Sequence, residues 1–227
     1  MLIRYCLLTF WAVIVSGCTA VTDEVRETVE YAFKEQQDAE LTPEEIKDFP
    51  YTAMYAQWEG FPRTLIVLGF IDNPGERHFV TAEKETLVIR NGRVIRTQDL
   101  RQNLLATSNL SQDPLQCIIT QPAKCKTSWQ RDYDYQFEEQ TLSRTVNSQF
   151  YVQEEQTLDL PFGEVDVTLI EEKGRFKLTG ETFINRFWVE SDGHVVKSEQ
   201  QLFPGEVTLT LTQVTWIGRD YSNKVAK

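Results

Sequence analysis

The feature that most narrows the fold is a set of apolar–polar alternations separated by two-residue turns. Leu87–Ile89 and Val94–Ile95 flank Asn91-Gly92, Asp192-Gly193 links 182–190 to 194–203, and Pro204-Gly205 leads into 206–217. Successive side chains of a strand point to opposite faces, so such alternation means one buried face and one wet face. Asn-Gly supplies the two positive φ angles of a tight hairpin turn. Alternation recurs in 131–139, 145–154 and 164–170, and Thr64–Ile71 reads as a buried strand. The pattern predicts a mainly β protein: a large, curved antiparallel sheet, half-barrel or sandwich-like. With neither an internal repeat nor a low-complexity linker, residues 18–227 read as a single domain.

Two helical segments are expected before the sheet. Val25, Val29, Ala32 and Phe33 share one face of an amphipathic N-terminal helix over about 22–37, with Thr22 as N-cap. Leu41–Pro50 reads as a helical turn, with Pro43 near its start and Pro50 closing it. Residues 99–125 look like a less regular, partly helical connection.

The N-terminus addresses the chain. Arg4 precedes an eleven-residue apolar stretch, Tyr5 to Val15, which has the length of a signal-peptide core and not of a membrane span. It ends in Val15-Ser16-Gly17-Cys18, which resembles the bacterial lipobox. That resemblance implies a signal peptide over 1–17 and a mature chain whose first residue, Cys18, is acylated on thiol and amine. Small side chains admit the peptidase, and the thiol accepts the diacylglycerol. Three acyl chains hold a protein on a membrane essentially permanently, at ~0.8 kcal/mol per buried CH₂. Thr19 follows the cysteine where an aspartate would signal inner-membrane retention, so the resemblance implies the outer membrane. Cys6 leaves with the signal and Cys18 is consumed by lipid. Cys117 and Cys125 then remain as a pair, and an oxidising compartment favours a bridge between them.

Composition restricts partners and chemistry. A net charge of −11 argues against nucleic acid and against an anionic membrane surface as binding partners. Neither CxxC nor a Cys/His cluster is present, and the two histidines, His78 and His194, are far apart in sequence, so no metal or cofactor is expected. Nucleotide-binding, hydrolase-elbow and metalloprotease signatures are missing. Any catalytic carboxylate pair drawn from 34 acids would be arbitrary. Trp58, Trp129, Trp188 and Trp216 could stack on sugar rings, although packing a β core is the commoner use of such rings. Arg90, Arg93 and Arg96 cluster on one hairpin, with Arg93 and Arg96 on opposite faces by alternation. They could grip an acidic glycan or pair with carboxylates on neighbouring strands.

Longer motifs are familiar in this order. Gly60-Phe61-Pro62 leading into TLIVLGF, the hairpin TLVIRNGRVIRTQDLRQNLL (86–105) and Gln112-Asp113-Pro114-Leu115 resemble the first half of the YjbF/GfcB lipoproteins. Asn185-Arg186-Phe187-Trp188-Val189, then Asp192-Gly193-His194 through Gln200 and Pro204, resemble the second half. Asp99 stands where the family pattern has glycine. The resemblance implies an outer-membrane lipoprotein facing the periplasm, encoded with exopolysaccharide or group 4 capsule genes. It brings no catalytic residues, and the favoured function is non-enzymatic assistance to polysaccharide export or assembly. Expected partners are the membrane through the lipid anchor, other polysaccharide-export proteins, and a glycan. Arg93, Arg96, Trp188 and Gln200, within the motif-bearing segments 86–97 and 185–200, are the candidate partner or glycan surface. Two rival functions stay open: a carrier of a lipid or other hydrophobic ligand within the curved sheet, and an enzyme acting on glycan.

Overall fold

Every sheet connection in the computed structural model is antiparallel, and the model describes residues 37–72 and 75–218. Cys18, the signal segment and all but the last residue of the expected 22–37 helix lie outside the described residues. The strands are β1 (Ala53–Trp58), β2 (Thr64–Asp72), β3 (Glu76–Val80), β4 (Thr86–Arg90), β5 (Arg93–Gln98) and β6 (Leu104–Thr107). They continue as β7 (Ser128–Phe137), β8 (Gln140–Leu160), β9 (Gly163–Phe176), β10 (Thr182–Val189), β11 (Val195–Gln200) and β12 (Leu209–Thr215). Their order is β5-β4-β3-β2-β1-β12-β11-β10-β9-β8-β7-β6, which curls into a nearly closed barrel.

The predicted turns hold. Asn91 and Gly92 take φ of 48° and 77°, both positive as a two-residue hairpin requires, and Arg90 pairs with Arg93 across them. Gly92 also permits a close approach, since a Cβ there would sit 2.4 Å from Val195. Asp99, in place of the family's glycine, adopts φ 62°, a left-handed conformation that aspartate tolerates better than most residues.

The seam between β5 and β6 is held by side chains. Thr107 Oγ1 donates to the Ile95 carbonyl at 2.9 Å, and the Leu104 amide donates to Thr97 Oγ1 at 2.9 Å. Sheet edges left bare invite foreign strands, so these contacts protect both ends.

A twelve-stranded barrel encloses more room than its wall side chains fill at eight strands. Here two apolar clusters fill the interior. One gathers Phe79, Tyr133, Tyr135, Phe176, Phe183 and Phe203 with aliphatic neighbours. The other packs Trp129, Phe150, Ile170 and Phe187 against Leu115 and Ile118. Leu115 and Ile118 belong to the segment after β6, which plugs the barrel with 3-10 turns at Leu110–Gln112, Pro114–Gln116 and Pro122–Lys124. The expected bridge fastens this plug: Cys117 and Cys125 are disulfide-bonded, with Cα atoms 5.5 Å apart.

Outside the barrel, α1 (Pro43–Asp48) occupies the predicted helical turn. Thr42 and Glu45 cap it reciprocally, the side chain of each bonding the backbone amide of the other. Leu41, Ile46 and Phe49 cover Ala53, Tyr55 and Val214 on the outer wall.

Candidate functional site

Four of the sequence candidates separate once the side chains are placed. Arg93 and Gln200 are almost wholly buried, and Trp188 is 8 % exposed, so none of the three forms an accessible surface. Arg96 alone is half-exposed, with a guanidinium nitrogen 3.8 Å from Glu76. Each departure has a physical cause. Trp188 alternates with inward Phe187 and Val189, and on the outer face it packs against Leu160, Val165, Val167 and Val196. The long β8–β9 hairpin supplies the first three of these contacts. Gln200 braces the first hairpin, its oxygen accepting from the Val94 amide and its nitrogen donating to the Gly92 carbonyl.

Arg93 joins a buried ion cluster between the two interior cores. Its Nε donates to Asp113 at 2.6 Å and its Nη1 to Glu172 at 2.7 Å. The other Glu172 oxygen lies 2.6 Å from Arg131 and accepts from Ser148 Oγ at 2.6 Å, while Asn185 donates to the first. The guanidinium groups of Arg93, at 4.7 Å, and Arg131, at 4.2 Å, both lie over the Trp129 ring. Burial opposes ionisation of Glu172 and Arg93, and the opposite charges overcome it. Burial would raise the Glu172 carboxyl, but Arg131, Arg93 and the Ser148 hydroxyl pull it down to about 2. Burial would likewise lower the Arg93 guanidinium, yet Asp113 and Glu172 hold it above its ordinary value. Asp113 also accepts from the Leu115 amide, so the cluster pins the plug to the barrel wall. The sequence reading of carboxylate pairing for this arginine holds, but inside the barrel and not across an exposed hairpin.

The accessible chemistry lies at one mouth of the barrel. There the turn of the first motif, Asn91-Gly92, meets the turn of the second, Asp192-Gly193-His194, although about a hundred residues separate them in sequence. Together with Arg77 of β3 and Trp216 after β12 they line a cleft of about 210 Å³. Arg77 lies over the Trp216 ring at 5.1 Å, and the His194 ring meets the same indole edge-on at 4.3 Å. The His194 amide donates to Asp192 Oδ1 at 2.9 Å, and its ring bonds Gln213. Burial pushes the Arg77 guanidinium below its ordinary value. Arg77 has no sequence signal of its own. Its position depends on β3 sitting three strands from β12, which only the strand order reveals. Among the described residues no group of histidine, cysteine and acids is arranged to hold a metal ion, and no helix is long and apolar enough to cross a membrane.

Comparison with known proteins places these features in company. Residues 26–214 match the family model described as group 4 capsule polysaccharide lipoprotein gfcB, YjbF. The uncharacterized lipoprotein YjbF of Escherichia coli K12 is 29 % identical over 92 % of this chain and 95 % of its own length. The uncharacterized lipoprotein GfcB of the same organism is 28 % identical, covering 92 % and 97 %. Among solved structures, the hypothetical lipoprotein YmcC of E. coli K12 superimposes with a TM-score of 0.73. That match is at 26 % identity and covers 85 % of this chain and 96 % of the other.

Proposed function

Because the chain belongs to the YjbF family of group 4 capsule polysaccharide lipoproteins, we propose that it is a lipid-anchored, periplasm-facing component of the outer membrane. In this reading it assists export or assembly of an extracellular polysaccharide without catalysing a reaction. The observation that carries the reading is the family match across 26–214, directly behind a lipobox ending at Cys18. The diacylated thiol of Cys18 holds the protein at the membrane, and the barrel beyond residue 38 presents its mouth to polysaccharide or to other export proteins.

Two structural observations weigh against the rival functions. A hydrophobic-ligand carrier needs an empty apolar interior, whereas six aromatic rings and a buried ion cluster occupy this one. Glycoside hydrolysis uses two carboxyl groups flanking the scissile bond, and the mouth cleft is lined by one, Asp192.

The test is genetic and biochemical. Deleting the gene is expected to reduce surface polysaccharide while the cytoplasmic precursor pool persists. Complementation with Cys18→Ser is expected to leave the defect and to release the protein from membranes. Normal surface polysaccharide in the deletion strain would overturn the reading.

A further inference from the structure

The arginines of this protein divide by partner. Arg93 and Arg131 meet Glu172 inside the barrel, Arg96 meets Glu76, and Arg186 meets Glu171 and Glu199. Arg77 is half-buried at the mouth, and among the described residues no carboxylate stands within ion-pair distance of it. Among the same residues, Arg63, Arg90 and Arg144 are half-buried without such a partner too. What sets Arg77 apart is its place in a cleft against an indole ring. There, taking a guanidinium out of water costs free energy unless an anion compensates. Burial is the influence acting on this group, with no acid among the described residues offsetting it.

The surroundings of Arg77 suit a bound sugar acid. The guanidinium lies over the Trp216 ring, 5.1 Å from its centre. Its planar fork matches the two oxygens of a carboxylate. Asn91 and Asp192 stand on the two rim turns, offering an amide and an acid to hydroxyl groups. The rim is rigid. A Cβ on Gly92 would strike Val195 at 2.4 Å, and one on Gly193 would come within 3.0 Å of Thr120 of the disulfide-tied plug. A cleft of about 210 Å³ has space for roughly seven waters at ~30 Å³ each, the scale of one ring and not of a long chain.

We propose that this cleft binds an acidic sugar residue, a uronate, with Arg77 taking the ring carboxylate, Trp216 backing it, and Asn91 and Asp192 receiving hydroxyls. The inference rests on the polysaccharide reading above and names the chemistry its mouth selects. A free carboxylate, not the sugar ring alone, is the recognised group.

Calorimetric titration of the whole chain in detergent tests it, with tetragalacturonate as probe and its methyl ester as the neutral control. The acid is expected to bind and the ester to bind at least about tenfold more weakly. Arg77→Gln is expected to abolish binding of the acid, and Arg77→Lys to keep part of it. Asn91→Asp, which sets a negative charge on the rim in a residue tolerant of this turn, is expected to weaken the acid more than the ester. Equal affinity for acid and ester, wild-type binding by Arg77→Gln, or no binding of tetragalacturonate would each overturn the proposal. Failure here beside a capsule defect in the deletion strain would leave the export reading standing. Acid-selective binding beside normal capsule would overturn the export reading and leave the cleft.

Discussion

Arg93 and Arg77 are sixteen positions apart on one β-meander, and both lie against an indole ring. Inside the barrel, Arg93 has a carboxylate on two sides and is nowhere exposed. At the mouth, Arg77 is half-buried and has no carboxylate within ion-pair distance among the described residues. The difference separates two uses of the same residue type. A buried guanidinium with matched acids cross-links elements, here the plug, β5, β7 and β9. A guanidinium left without an acid at a cleft keeps its charge for something that arrives. Removing a partner of the first should therefore damage stability, and removing the second should damage binding alone.

The largest expected effect is on the first. Glu172→Gln keeps the shape of the side chain and removes the charge shared by Arg93 and Arg131. Leaving such charges uncompensated is expected to cost about 3–5 kcal/mol in urea denaturation of the whole chain. A loss below about 1 kcal/mol would break the comparison, since the cluster would then not hold the plug. The same group sets a pH window. Its carboxyl is depressed from 4.5 to about 2 in the fold, so its contribution is fully present above pH 4.5 and is lost as pH falls toward 2. Unfolding midpoints measured across that window should fall in the wild type and fall less in Glu172→Gln.

A smaller effect is expected from the covalent part of the same region. Replacing Cys117 and Cys125 together by serine removes a bridge with a sequence separation of eight. Chain-entropy reasoning puts the loss at about 2.6 kcal/mol. Thiol labelling of the wild type should find neither cysteine free, and the double variant should unfold at lower urea by the corresponding amount. Because Thr120 of the bridged loop lies so near Gly193 of the rim that a Cβ there would come within 3.0 Å of it, the variant should also weaken tetragalacturonate binding, though less than Arg77→Gln does.

Why these regions were unequally legible follows from range. Local signals carried the hairpin at Asn91-Gly92, the strands β2 and β10, the helical turn α1 and the even pair of cysteines, since each depends on neighbours within a few residues. β6 escaped because it has only four residues, and β1 and β3 because burial on both faces erases alternation. β8 and β9 run far beyond the alternating stretches read as 145–154 and 164–170, because an irregular register between Val152 and Glu155 breaks the pattern while the chain stays extended. Arg93 could be read as pairing with acids, but not as buried, because Glu172 lies 79 residues away. The mouth cleft was half legible: both turns were marked as motif-bearing, and only the barrel's closure brings them together with Arg77.

The smallest expected effect on stability is the one that sharpens the comparison most. Arg77→Gln removes a half-buried charge with no carboxylate in ion-pair distance among the described residues. No buried acid among them loses its partner, and only the contact with the Trp216 ring is given up. Its unfolding free energy is expected to stay within about 0.5 kcal/mol of the wild type, against several for Glu172→Gln. Its far-ultraviolet circular dichroism should be unchanged, while acid-selective sugar binding disappears. A destabilisation comparable to that of Glu172→Gln would mean that Arg77 is also a structural cross-link. The two arginines would then differ in exposure and not in use, and the contrast drawn between mouth and interior would fail.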